Sequence, residues 1–317
     1  MHKDITKLHD MAWAFRSART LQVANKINLF TLLSNKQLSP EQLCANRRFK
    51  PEILEKLLIA CTAMGLLEKQ GNLYTNTQIA ETYLVRTSPL YQGDIIAHSY
   101  SVWNFWTDLE NQICPNAVPY TESQQHRNFI LAMQNIALSG RTKMFLDNID
   151  LTGRKKLFDV GGGPGTYSIE ACKRYPNLKA IVFDLPETIA ITNEMIAKEN
   201  MQHRVSARQG NWETDNFGHD NDVVLISEVM HGPNSQAQMK LQKAYDSMQP
   251  GSLLIIQEFL LNNDKTAPLI PTLFNLMVGA FSEKEILELI ESAGFAKARI
   301  VTSNKDVGST WLTAIKP

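Results

Sequence analysis

Net charge is what this chain most plainly lacks. Its 32 lysines and arginines are matched by 32 aspartates and glutamates, so no global field draws it toward nucleic acid or an acidic membrane surface. Cysteine is scarce, and Cys44, Cys61, Cys114 and Cys172 are scattered with no close pair of the metal-site kind. No secretory context favours disulfides between them. The first residues carry Lys3, Asp4, Lys7 and Asp10 in place of a signal-peptide apolar core. No run of about eighteen uncharged apolar residues suggests a membrane span, and repeats and low-complexity tracts are missing too. These absences predict a reduced, cytoplasmic protein with no metal, no membrane and no nucleic-acid partner.

What is present divides in two, and 317 residues are room for two domains. The first half reads as helical. Between Leu8 and Leu33, Met11, Ala14, Phe15, Ala18, Leu21, Ala24 and Ile27 recur at helical spacing, while Trp13, Val23, Leu29 and Phe30 widen the apolar surface. A face that broad predicts burial on more than one side, including against a second copy of the chain. Ser39-Pro40-Glu41-Gln42 starts a helix, with a serine cap and proline at the first turn. Another follows Pro51, carrying Leu54, Leu57, Leu58 and Cys61. Leu66-Leu67-Glu68, a Gln70-Gly71-Asn72 turn and Leu73-Tyr74 then form a hairpin. Helix, helix, hairpin is the winged-helix order. Further helices are expected around Ile95–Ile113 and His126–Ile149, with a boundary near 150–156. The predicted domains are 1–150, helical, and 151–317.

The second half changes period. Leu157–Val160, Lys179–Phe183, Asp222–Ile226 and Ser252–Ile256 are short apolar runs of the kind that buried parallel strands give. Helical stretches Thr166–Arg174, Glu187–Glu199, Ser235–Met248 and Ser282–Ala293 alternate with them. The fold class is therefore α/β, with a doubly wound, Rossmann-like sheet. Strand, glycine turn, helix is its sharpest local signal: Asp159-Val-Gly-Gly-Gly-Pro-Gly165 lets backbone approach a ligand where a side chain would clash. The next strand ends in Asp184, placed to accept from the hydroxyls of a ribose. A dinucleotide site would share both features.

Leu157-Phe-Asp-Val-Gly-Gly-Gly-Pro-Gly165, then Tyr175-Pro-Asn-Leu, then Val182-Phe-Asp-Leu-Pro186 resembles the caffeate and acetylserotonin type of S-adenosylmethionine-dependent O-methyltransferase and its bacterial relatives. Gly210-Asn-Trp212, Met230-His231, Gln257-Glu258 and Ser292-Ala-Gly-Phe295 extend the match over nearly the whole chain. The resemblance implies a class I methyltransferase domain behind a winged-helix dimerisation domain, in a homodimer. It implies S-adenosylmethionine held by the turn Asp159, Gly161 and Gly163, with Gly161 at its methionine part and Asp184 at its ribose. Leu185 and Trp212 would flank the adenine. Asn211 stands where an aspartate usually reads the adenine amino group, and Ser227 where plant members have lysine.

For catalysis the resemblance implies His231 as general base toward the acceptor hydroxyl, suited by an imidazole's titration near neutrality. Glu258 would steer the ring. The usual His-Asp-Trp is here His231-Gly232-Pro233, and a second steering glutamate is missing where Gly279-Ala-Phe281 runs into Ser282. For a small aromatic acceptor, Trp103 and Trp106 resemble a tryptophan-containing segment near the pocket, and Met133 and Met277 the methionines that clamp a flat ring. Ordinary core packing would explain these four equally, and His231 could simply close a strand–helix loop. Carbon or nitrogen methylation, and a non-catalytic cofactor-binding protein, stay open. A DNA-binding winged helix has less to stand on: residues 1–100 hold 12 Lys/Arg against 8 Asp/Glu, clustered only at Arg47-Arg48-Phe49-Lys50.

Overall fold

The computed structural model describes residues 3–317. Two compact units form, one from Thr6–Pro119 with Leu261–Val278, the other from Tyr120–Leu260 with Gly279–Pro317. The break thus falls at 119/120, upstream of the expected 150–156. The reason is packing. Phe145, on the helix Thr142–Asn148, stacks on Trp311 of the sheet at 5.0 Å and 9°, and the helix Glu122–Ile136 lies against Pro186–Lys198.

In the N-terminal unit the stretch from Leu8 to Leu33, read as helical, is made of successive helices. Helices Lys3–Trp13, Phe15–Lys26 and Leu29–Leu33 follow one another, and Asn28 turns the chain with φ +58°. The serine start is as read: Ser39 Oγ accepts from Gln42 N while the Gln42 side chain accepts from Ser39 N, a capping box on the helix Pro40–Cys44. Helix Pro51–Ala63 leads into the antiparallel hairpin of β1 (Leu67–Gln70) and β2 (Leu73–Asn76). Leu29, Phe30, Leu33, Leu43, Leu58 and Tyr74 bury together between these elements. Helix Leu269–Val278, from far along the chain, packs on Pro51–Ala63.

The other unit is built on a seven-stranded sheet of β3 (Lys156–Val160), β4 (Lys179–Asp184), β5 (Val205–Gln209), β6 (Asn221–Ser227), β7 (Met248–Glu258), β8 (Ala296–Asn304) and β9 (Ser309–Ile315). Its order is β5-β4-β3-β6-β7-β9-β8. β3 to β7 pair in parallel, and β9 turns antiparallel between β7 and β8. Alternate residues serve opposite faces. Phe158, Val224, Ile226 and Leu254 pack under helices Ala237–Ser247 and Glu283–Ser292. Leu157, Val223, Leu225 and Ile255 pack under Thr166–Arg174 and Pro186–Lys198. Both faces are covered, which is why the central strands read as unbroken apolar runs. The chain enters at β3, winds outward to β5 and returns to β6, so the strand order reverses between β3 and β6. In open sheets of this kind a ligand crevice forms at the carboxyl ends beside that reversal.

Candidate active site

A cavity of about 370 Å³ opens there, lined among others by Met133, Arg141, Asp159, Gly161, Asp184, Trp212 and His231. Gly161 follows β3 with φ +65°, and a Cβ on it would lie 2.8 Å from Val229 Cγ1 and 3.1 Å from Trp212 Cζ3. Only glycine leaves that floor clear. Asp184 closes β4, one carboxylate oxygen accepting from Gly163 N and the other from Leu185 N, each at 2.7 Å. These bonds tie the glycine turn to the next strand. They also oppose the effect of burial, which on balance raises the Asp184 pKa.

Two polar atoms facing the cavity are unspent. Asp159 Oδ2 accepts from Ser168 Oγ at 2.7 Å, but Oδ1 is buried with no partner among the described residues, as is Thr166 Oγ1. Burial, with the nearby charge of Asp184 adding to it, pushes the Asp159 carboxyl up to about 7 against the pull of Ser168. A buried acid without a full set of partners is an acceptor waiting for a donor. The glycine floor, these orphan acceptors and the acid at the end of β4 together fit an amino-acid nucleoside such as S-adenosylmethionine.

The histidine sits at the rim. His231 Nδ1 lies 3.1 Å from Glu258 Oε2, and Glu258 Oε1 accepts from Met230 N at 2.8 Å. Phe259 stacks on the imidazole at 4.7 Å. Glu258 is buried behind the ring, so it orients the imidazole without itself lining the cavity. With Nδ1–H donating to the carboxylate, Nε2 carries the lone pair, and it has no protein hydrogen-bond partner among the described residues. Burial lowers the His231 pKa, but the Glu258 charge and hydrogen bond outweigh it and leave it raised.

Of the residues expected from sequence, Asp159, Gly161, Gly163, Asp184, Leu185, Trp212, Ser227, Met133 and His231 line this one cavity. Asn211 does not: its side-chain oxygen is committed to Glu213 N at 2.8 Å. Trp103 and Met277 line a different cavity, within the N-terminal unit. Trp106 lines neither and is 64% exposed, because its helix Trp103–Thr107 is a single short turn with no buried face. Sequence reasoning missed the ion pair of Arg141 with Glu228, both at the cavity wall. At the cavity edge, His126 Nε2 lies 3.2 Å from Thr188 Oγ1. No group of three or more His, Cys, Asp or Glu suited to a metal occurs among the described residues. None of the described helices is long and apolar enough to cross a membrane.

Comparison with known proteins bears on the same residues. Residues 113–296 match the model of the O-methyltransferase domain, and residues 10–86 that of the O-methyltransferase dimerisation domain. The chain belongs to the O-methyltransferase family. It is an S-adenosylmethionine-dependent O-methyltransferase, with a dimerisation domain ahead of the methyltransferase domain. It is 28% identical over 314 residues to a 3-hydroxy-5-methyl-1-naphthoate 3-O-methyltransferase of Streptomyces sahachiroi, covering 93% of this chain and 91% of that one. It is 25% identical to the acetylserotonin O-methyltransferase of Gallus gallus, covering 92% of each. Among solved structures, an O-methyltransferase family 2 protein from Planctomyces limnophilus in complex with apigenin superposes with a TM-score of 0.83 at 23% identity. That match covers 100% of this chain and 97% of the other, and it shows the shared fold.

Proposed function

We propose that this O-methyltransferase methylates a hydroxyl of a small aromatic acceptor, with His231 as general base. The observation that carries the reading is the imidazole held through Nδ1 by the buried Glu258, at 3.1 Å, on the rim of the cavity that Gly161 and Asp184 line. Asp184 would accept from the ribose, Leu185 and Trp212 would flank the adenine, and Asp159 with Gly161 and Gly163 would hold the methionine end. Ser227, bonded to Gln257 Oε1 at 2.8 Å, lines the wall beside them. S-adenosylmethionine supplies an electrophilic methyl on a sulfonium whose leaving group is neutral. Alignment of the acceptor oxygen is then the main contribution of the protein, and His231 Nε2 takes the hydroxyl proton as the oxygen attacks. Relatives named for naphthoate and acetylserotonin support an aromatic hydroxyl.

His231→Ala tests this. Turnover should fall by about 10²–10⁴-fold while adenosylhomocysteine affinity hardly changes. Full turnover in the variant would remove the base from the mechanism. Nitrogen methylation is the second reading, favoured by a relative named as an N,N-dimethyltransferase from Streptomyces rimosus, 23% identical; the product formed with a labelled methyl donor separates the two. We also propose a homodimer through the N-terminal domain, supported by the match over residues 10–86. Leu8, Met11 and Phe15 add to this, lying 64%, 68% and 53% exposed on the first two helices.

A further inference from the structure

We propose that the cavity within the N-terminal unit binds a flat apolar ligand carrying a carboxylate, and that Arg16 and Arg19 read its charge. The inference goes beyond the methyl-transfer reading, since this cavity shares no lining residue with the one that Gly161, Asp184 and His231 line. The cavity measures about 730 Å³, enough for roughly two or three fused rings with room to spare. Its walls are apolar, with Val23, Leu57, Trp103 and Phe274 among them. The charged side chains on that wall are all cationic (Arg16, Arg19, Arg48 and Lys50), with no aspartate or glutamate among the lining residues.

Two of those cations are built in. Arg16 and Arg19 lie three residues apart on the helix Phe15–Lys26, so both face the same way. The Arg16 guanidinium lies over Phe274 at 4.3 Å and near Trp13 at 5.0 Å, and Arg19 lies over Tyr100 at 4.3 Å and Trp103 at 4.9 Å. Stacking occupies the flat faces of a guanidinium and leaves its N–H edge free for a planar carboxylate. Arg19 spends one N–H on Gln22 Oε1 at 3.3 Å; neither arginine meets a carboxylate among the described residues. Burial lowers the Arg16 pKa with no negative charge opposing it. A half-buried, aromatic-flanked cation without a counter-ion is disfavoured until an anion arrives. Thr20 does not fill that role, because its hydroxyl donates to Arg16 O at 2.8 Å.

The test is calorimetric titration of the full-length protein with 2-naphthoate and with 2-naphthamide, which share a shape and differ in charge. The acid should bind at least about tenfold more tightly than the amide, the worth of one hydrogen bond to a charged group. That preference should shrink in Arg16→Met and vanish in Arg16→Met/Arg19→Met, and rising salt should erode it. Equal binding of acid and amide by the wild type overturns the inference and needs no variant to fold. So does a preference that survives in the double variant, or no binding of the acid at millimolar concentration. A parallel titration with adenosylhomocysteine keeps the two readings apart. If it binds while the acid shows no preference, only the anion inference falls; if it fails to bind, the assignment of the cofactor site falls.

Discussion

Replacing Asp159 by asparagine should stabilise the protein without its cofactor, and increasingly so as pH rises. The carboxyl is 1% exposed, with one oxygen on Ser168 and the other with no partner among the described residues. Burial carries it from the ordinary 3.8 to about 7. Between those values the folded protein holds a proton that the unfolded chain has lost. The native state then binds more protons, and stability declines as pH rises through the window and levels off above it. At about 1.36 kcal/mol per pH unit, the decline amounts to about 4 kcal/mol. Asparagine carries no charge at any of these pH values and can still accept the Ser168 hydroxyl, so the variant escapes the decline. Urea unfolding of both proteins without ligand, stepped from pH 4 to pH 8, gives the comparison. The stability difference, variant minus wild type, should be small at pH 4 and grow to several kcal/mol by pH 8. A difference that stays flat with pH, or a variant less stable at pH 8, would refute the reasoning. Stability kept low in this way has a functional sense. An ionised Asp159 favours the cationic methionine end of the cofactor, so the variant should bind S-adenosylmethionine more weakly at pH 8 despite its firmer fold.

Gly161→Ala should weaken cofactor binding by at least about tenfold in calorimetry, because the new methyl meets Val229 at 2.8 Å and Trp212 at 3.1 Å. Its left-handed backbone adds about 1–2 kcal/mol of strain, visible in denaturant unfolding. Glu258→Gln should move the acid limb of the pH–rate profile to lower pH. Catalysis by a neutral imidazole is lost as pH falls through a pKa that Glu258 raises, and without that charge burial lowers it. Turnover should also drop about 10–100-fold, since the amide puts an NH2 in place of one of the two oxygens that serve Met230 N and His231 Nδ1 separately; an unmoved acid limb would count against Glu258. Light scattering at micromolar concentration should return about twice the 35.8 kDa chain mass, and a monomer would end the dimer proposal.

The central strands were legible because burial on both faces leaves an apolar run. β3, β4, β6 and β7 lie within a few residues of the stretches read from sequence. The helix Thr166–Arg174 matches to the residue, entered from Gly165 in the left-handed region. β5 and β8 escaped because they are the sheet's two edges. Val205-Ser-Ala-Arg-Gln209 buries only its valine, and Ala296–Asn304 has no fully buried position. β9 sits inside the sheet and is mostly buried, but Ser309-Thr-Trp-Leu-Thr-Ala-Ile315 mixes polar residues into the run. The cofactor-facing residues were readable as one local motif, strand, turn and acid. Arg141 and Glu228 were not: 87 positions separate them, and only the fold brings them together.

The two departures from the resemblance near His231 meet at one place in the structure. The pattern this chain resembles has an aspartate at 232 and a second glutamate before the helix Glu283–Ser292. Gly232 has φ +64°, and a Cβ there would come within 2.8 Å of Ala280 N and 3.0 Å of Gly279 C. The connection through Gly279–Ser282 therefore runs where a side chain at 232 would have to stand. What remains fixes the loop by other means. The buried Lys240 donates to Val229 O and Ser235 O on either side of His231 and lies over the Trp212 ring at 4.3 Å. Burial there pulls its pKa down to about 8, the mark of an ammonium kept inside for its hydrogen bonds rather than its charge. Around His231 the structure thus keeps Glu258 on Nδ1 and backbone clamped by Lys240 on both flanks.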